Sequence, residues 1–227
     1  MALFVISDLH LSLNTDKPMT VFKGWDNYVE RIESNWRKIV NDEDTVVIPG
    51  DISWEMRLDN CKKDFEFIHN LPGKKIIMKG NHDLWWESMT KMNAFLQQNG
   101  FDSIKIMHNN CYEYGDFALC GSRGWYYDDV ADNKVLNREV GRIKTSLEAG
   151  AKTGKELILF LHYPPLTTDS VCEEIMSIIK QYGVRRCYYG HIHRGGRFKA
   201  YFGEYENILF RCVSCDLMDF MPFIIEK

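Results

Sequence analysis

The sequence lacks any stretch of about eighteen uncharged apolar residues, so it predicts no membrane-spanning helix. It also lacks a block of lysines and arginines, and its formal net charge is −4. A dedicated nucleic-acid binder normally shows a basic surface, and this composition therefore argues against one. Residues 1 to 6 lack the basic flank and cleavage region of a signal peptide, and we read them as a first strand.

Cysteine is neither scarce nor paired in an obvious way. The seven cysteines are an odd number, and no export signal accompanies them, so reduced thiols and a cytoplasmic location are expected. Cys212 and Cys215 have redox-motif spacing. They fall in a predicted strand without a second pair for zinc, and this favours a packing role.

The first hundred residues repeat one pattern three times. Apolar runs at 3–7, 45–49 and 75–79 read as buried strands, and each is followed by polar residues and then by apolar residues at helical spacing. Strand, polar turn and helix in succession predict an α/β fold. Ligands of open α/β sheets collect beyond the carboxyl ends of the strands, where these polar turns lie.

The second half has a different rhythm. Short apolar runs at 104–107, 111–114 and 117–120 predict a more antiparallel sheet. A strand at 157–161 then delivers His162, and the run at 187–189 ends in a glycine and two further histidines. We find no repeat or linker, and we predict a single domain over residues 1–227.

Polar side chains at five strand ends form one constellation. The turns hold five of the seven histidines: Asp8 and His10, Asp51, Asn81 and His82, His162, and His191 and His193. Imidazole nitrogens with carboxylate or amide oxygens suit Mn, Fe or Zn, and the thiolates of a structural zinc site are absent from these turns. The ligands are too many for one ion, so we expect two metal ions about 3.5–4 Å apart.

These motifs carry a family resemblance. Asp8-Leu9-His10, Gly50-Asp51, Gly80-Asn81-His82-Asp83, His162 and Gly190-His191-Ile192-His193 resemble the calcineurin-like metallophosphoesterases, with all five blocks in family order. The resemblance implies a four-layer fold of two mixed sheets flanked by helices. It also implies that one metal is bound by Asp8, His10, Asp51 and His193, and the other by Asp51, Asn81, His162 and His191.

The charge count and the resemblance together imply a mechanism. Two divalent ions outweigh the charges of Asp8, Asp51 and a bridging hydroxide, so the centre attracts an anionic phosphate. Metal coordination lowers the pKa of water to about 7, and a metal-bound hydroxide is the expected nucleophile. His82 is expected to face the substrate and protonate the leaving group, with Asp83 orienting it. Gly50-Asp51 is not followed by the second Asp and the Arg of the protein-phosphatase branch, which favours a small phosphomonoester, phosphodiester or nucleotide as substrate.

Other residues near the motifs have competing readings. Aromatic residues are core residues by default, but some of these six could wall a substrate cleft: Trp54, Trp85, Trp86, Trp125, Tyr126 and Tyr127. Arg123, Arg194 and Arg197 are either solvated surface charges or phosphate contacts. His69 and His108 lie outside every motif and receive no role.

Two alternatives to a small-molecule phosphoesterase stay open. A non-catalytic scaffold of the same fold would have lost motif residues, and none is lost here. A DNA nuclease would resemble longer chains with an added DNA-engaging domain, and this chain has no basic surface. The natural substrate, the metal pair and the oligomeric state are not fixed by the sequence.

Overall fold

The computed structural model describes residues 1–125 and 133–227 and shows an α/β protein with two mixed sheets flanked by helices. The chain forms two compact units, residues 1–106 with 213–227, and residues 107–212. The single domain over 1–227 stays a prediction. Tyr126 and Tyr127 lie outside the described residues.

The first unit carries a five-stranded sheet. Its strands are β1 (Leu3–Val5), β2 (Thr45–Ile48), β3 (Lys74–Ile77), β4 (Ile104–Ile106) and β11 (Phe223–Glu226). They lie in the order β11-β1-β2-β3-β4, in which β1 to β4 are parallel and β11 pairs antiparallel with β1. The central strands β1 and β2 are fully buried and β3 is buried from Lys75 onward, so both sheet faces are covered, as parallel sheets require.

Three helices connect these strands, as the helical spacing predicts. They are α1 (Tyr28–Ile39), α2 (Lys62–Asn70) and α3 (Met89–Asn99). A 3-10 turn at Leu58–Cys61 precedes α2. Trp36, Phe65 and Trp85 are buried in the core of this unit, so Trp85 is a packing residue.

The second unit carries a six-stranded sheet. Its strands are β5 (Cys111–Tyr114), β6 (Phe117–Ser122), β7 (Glu156–Leu161), β8 (Arg186–Tyr189), β9 (Gly203–Tyr205) and β10 (Ile208–Cys212), in the order β5-β6-β7-β8-β10-β9. The prediction of a more antiparallel sheet was wrong for most of it, because only the edge pairs β5–β6 and β9–β10 are antiparallel. The prediction came from the short runs at 104–120. Of these, 111–120 do form an antiparallel hairpin, but β4 joins the parallel sheet after its crossover helix.

Two helices accompany this sheet, α4 (Asn133–Ala151) and α5 (Glu173–Gln181). Within the described residues, no helix is long and apolar enough to cross a membrane. All seven cysteines lie in the described ranges and are free thiols. Strand β10 ends at Cys212, and Cys215 begins a 3-10 turn rather than continuing the predicted strand.

Candidate metal centre

The turns after β2 and β3 interlock through two glycines. A Cβ on Gly50 would lie 2.5 Å from the Gly80 backbone nitrogen, and a Cβ on Gly80 would overlap the backbone nitrogen and Oδ1 of Asp51. Gly50 also has φ +94°, which favours glycine. The two motif glycines are therefore required by the close approach of one turn to the other.

Asp83 is the fully buried anchor of these turns. Its Oδ2 accepts the N–H groups of Asp51 (2.9 Å) and Gly80 (2.7 Å), and its Oδ1 accepts those of Ile52 (2.9 Å) and Ser53 (3.3 Å). Burial raises the pKa of Asp83 to about 6, although the four N–H donors lower it. This carboxylate ties both turns together through the backbone.

The role predicted for Asp83 was to orient His82. None of the four bonds just described reaches the His82 imidazole, and that role stays a prediction. The His82 backbone N–H donates to Asp51 Oδ1 at 2.8 Å, so the position of His82 is set through the predicted bridging residue.

Three ligand-type side chains meet in this unit. His10 Nε2 lies 3.7 Å from Asp51 Oδ2, and donor atoms of Asp8 lie within 4.8 Å of those of both residues. All three are buried, and all three have positive φ (61°, 47° and 51°). Non-glycine residues in the left-handed region are uncommon and cluster at functional sites, so this conformation is a second indication of function.

The electrostatics of this cluster fit a bound cation. Burial raises the pKa of Asp51 well above its usual range, and the nearby carboxylates of Asp8 and Asp83 raise it further. Carboxylates without cationic compensation are costly to bury. A divalent metal would offset this charge, and nitrogen and oxygen ligands suit Mn, Fe or Zn.

Trp54 packs against both histidines of this unit. Its ring stacks on His10 at 4.8 Å between centroids and lies 4.5 Å from His82, while the two imidazoles are 5.6 Å apart. Lys17 Nζ lies 5.5 Å from the Trp54 centroid. Trp54 therefore constrains a predicted ligand and the predicted acid together.

The C-terminal segment also reaches Asp8. Ser214 Oγ donates to Asp8 Oδ2 at 3.0 Å, and Cys215 Sγ donates to the Asp8 carbonyl at 2.9 Å. Sequence reasoning missed Ser214, because no local pattern reports a contact across 206 positions.

In the second unit, the turn after β7 is fixed by its neighbour after β6. The Arg123 carbonyl accepts the N–H groups of His162 (3.0 Å) and Tyr163 (2.8 Å). The Gly190 N–H donates to the carbonyls of Leu161 (3.3 Å) and His162 (3.1 Å). Three strand ends thus position fully buried His162.

His191 and His162 are neighbours in this unit. Their ring centroids are 5.3 Å apart, and the Tyr163 ring lies 4.5 Å from His191. His191 has φ +70°, like the ligand-type residues of the first unit. His193 is half-buried at the start of the 3-10 turn Arg194–Lys199.

Glu139 on α4 anchors the loop after β6. Its Oε1 accepts the Ser122 hydroxyl and the Gly124 N–H (2.9 Å), and its Oε2 accepts from Arg142 at 3.0 Å. A Cβ on Gly124 would lie 3.1 Å from the Tyr163 carbonyl, so this loop approaches the turn after β7 closely. Helical spacing alone did not distinguish Glu139 from a surface glutamate.

The family model for calcineurin-like phosphoesterases matches residues 1–195. The chain belongs to the calcineurin-like phosphoesterase family. The match spans every predicted motif and confirms the family predicted from the sequence. No curated protein matches the chain significantly.

Solved structures agree with a calcineurin-like phosphoesterase fold. Protein AQ665 of Aquifex aeolicus, of unknown function, is 20% identical with a TM-score of 0.52, over 98% of this chain and 95% of its own. The phosphopantetheinyl hydrolase of Mycobacterium tuberculosis is 14% identical with a TM-score of 0.56, over 95% and 90%. TT1561 of Thermus thermophilus is 9% identical with a TM-score of 0.60, over 99% and 97%. At these identities the likeness concerns the fold.

The aromatic, arginine and histidine residues whose roles the sequence left open differ in their exposure. Trp54, Trp86 and Trp125 are half-buried, unlike Trp85. Arg194 and Arg197 are exposed, whereas Arg123 is half-buried. His69 Nδ1 lies 2.9 Å from Ser103 Oγ, and His108 is exposed.

Proposed function

We propose that this calcineurin-like phosphoesterase hydrolyses a small phosphomonoester, phosphodiester or nucleotide with two bound metal ions. The observation that carries the proposal is the buried cluster of Asp8, His10 and Asp51, whose charge and positive φ angles suit a cation site. We further propose a cytoplasmic location, in keeping with the seven free thiols.

The proposed ligands follow the family motifs. They are Asp8, His10, Asp51 and His193 for one metal, and Asp51, Asn81, His162 and His191 for the other. When bound, the two ions would lower the pKa of a coordinated water and screen the charge of the phosphate. Asp51 is proposed as the shared ligand.

His82 is proposed as the general acid. Its backbone is fixed by Asp51, and its ring is bounded by Trp54 and His10, so the imidazole has limited freedom. A positioned imidazole that donates a proton to the departing alkoxide contributes about 10²–10⁴-fold. Asp83 supports this indirectly, by holding the backbone on which both Asp51 and His82 are carried.

The test is metal-dependent turnover. Protein stripped with a chelator is expected to regain hydrolysis of nitrophenyl phosphate or bis-nitrophenyl phosphate when it is reloaded with Mn²⁺. Asp51→Asn should weaken metal binding, whereas His82→Ala should keep the metal and lose about 10²–10⁴-fold in kcat. No turnover with Mn, Fe, Zn, Co or Ni would contradict the proposal.

Two measurements distinguish the alternatives. A scaffold would be isolated without stoichiometric metal and would hydrolyse neither ester. A nuclease would cleave single- or double-stranded DNA with Mn²⁺, and we expect no such cleavage. Asp51→Asn protein is the matched negative control for both measurements.

A further inference from the structure

Arg123 differs from its neighbouring arginines in the 107–212 unit. Arg142 pairs with Glu139 at 3.0 Å, and Arg186 pairs with Glu156 at 3.1 Å. Within the described residues, no carboxylate forms an ion pair with Arg123, and its Nε is buried without a hydrogen-bond acceptor. A buried donor without an acceptor is costly, so this guanidinium is suited to an anionic ligand.

The Arg123 guanidinium lies near an aromatic ring, Tyr163, that packs against two predicted metal ligands. Its central carbon lies 5.9 Å from the Tyr163 ring centroid and 6.0 Å from that of Trp125. Tyr163 in turn packs against His191, and its ring lies 5.3 Å from His162. Guanidinium groups bind aromatic faces and still present hydrogen-bond donors at their edge.

The backbone around Arg123 is held before any ligand arrives. The Arg123 carbonyl accepts two N–H groups from the turn after β7, and Glu139 accepts from the residues on both sides, Ser122 and Gly124. A side chain carried on a fixed backbone loses less freedom when it binds an anion than one carried on a mobile loop. Such an arrangement is typical of a substrate-positioning arginine.

We infer that Arg123 binds a non-bridging oxygen of the substrate's phosphoryl group and makes the site selective for phosphomonoesters over phosphodiesters. This inference rests on the proposed function. A monoester offers three non-bridging oxygens and, near neutral pH, a charge of about −1.5 to −2, whereas a diester offers two oxygens and one charge. The guanidinium therefore gains more from a monoester.

The test compares two esters on the intact, metal-loaded protein. Arg123→Gln is expected to lower kcat/KM about 100-fold for nitrophenyl phosphate and less than about 5-fold for bis-nitrophenyl phosphate. Arg123→Lys should recover only part of the loss, because lysine lacks the two-pronged donor geometry. An unchanged ratio of the two kcat/KM values overturns the inference.

A binding measurement gives a second readout. Calorimetric titration with inorganic phosphate should show affinity weakened at least about tenfold in Arg123→Gln, with metal content unchanged. Arg138→Gln is the matched control, since Arg138 is an exposed arginine of the same unit. Unchanged phosphate affinity in Arg123→Gln would also overturn the inference.

The outcomes separate this inference from the proposed function. If the wild-type protein hydrolyses neither ester, the proposed function fails. The role of Arg123 is then tested only by comparing the phosphate affinity of Arg123→Gln with that of the wild type. If Arg123→Gln loses metal or does not fold, the two esters are compared on Arg123→Lys instead. A lowered monoester-to-diester ratio in that variant supports the inference, and an unchanged ratio overturns it.

Discussion

Each compact unit holds its motif loops with one fully buried carboxylate, but Asp83 and Glu139 are satisfied differently. Both oxygens of Asp83 accept backbone N–H groups, two each. Glu139 uses one oxygen for a hydroxyl and an N–H, and the other for the half-exposed Arg142. Every contact of Asp83 thus depends on the backbone geometry of the two turns. At Glu139, by contrast, water can take the place of Arg142 as the partner of one carboxylate oxygen.

The largest expected effect comes from breaking that backbone geometry. Gly80→Ala places a Cβ against the Asp51 backbone and carboxylate, and the Asp83 bonds leave the turns little room to shift. We expect a loss of at least about 3 kcal/mol in the free energy of unfolding, together with lost metal binding. Urea denaturation and metal analysis measure both.

The control is Gly141→Ala in α4, where a Cβ would meet nothing within 4 Å. That variant should be neutral or stabilised by about 0.5–1 kcal/mol, since alanine favours helix. Equal destabilisation of the two variants would show that the close approach at Gly80 is not what matters.

An amide substitution tests the two carboxylates directly. Asp83→Asn turns an NH₂ group toward two backbone N–H donors whichever way it is oriented, and we expect a cost of about 2–4 kcal/mol. Glu139→Gln can keep its oxygen on Ser122 and Gly124 while Arg142 turns to water, and should cost about 1 kcal/mol. Similar free energies of unfolding for the two variants would remove the distinction drawn between the anchors.

The smallest of the three effects, a change of stability with pH, is expected at a buried cation whose hydrogen-bond partners are also backbone groups. Lys75 on β3 is fully buried, and its Nζ donates to the carbonyls of His69, Leu71 and Gly73 at 3.1, 2.6 and 2.8 Å. Burial lowers the pKa of Lys75 from 10.5 to about 8. Between these values the folded state holds fewer protons than the unfolded state, so stability should rise with pH.

Comparison with Lys75→Met isolates this contribution. Below about pH 7 the stability difference between the two proteins should be constant. From about pH 8 to 10.5 the wild type should gain about 2–3 kcal/mol relative to the variant, measured by urea denaturation at each pH. Parallel pH profiles would show that Lys75 keeps its proton in the fold.

Local patterns predicted much of this molecule, because a buried strand and the polar turn after it are adjacent in sequence. The turns at Asp8, Asp51 and His162 follow strands close to the predicted ones. Contacts that depend on tertiary packing leave no such local pattern in the sequence. Asp83 was recognisable as a motif residue, but its four donors come from two turns separated by a helix, and Glu139 looked like any helical glutamate.

The discontinuity of the first unit has a consequence for synthesis of the chain. Strand β11 completes its sheet beside β1, and Ser214 supplies a hydrogen bond to Asp8. Both lie in residues 213–227, which a ribosome makes after all of 107–212. Domains generally fold as units during translation, but this one must wait for a segment made after the whole of the other unit. The nascent protein therefore cannot complete the hydrogen bonds of the Asp8 turn until residues 107–212 have been synthesised.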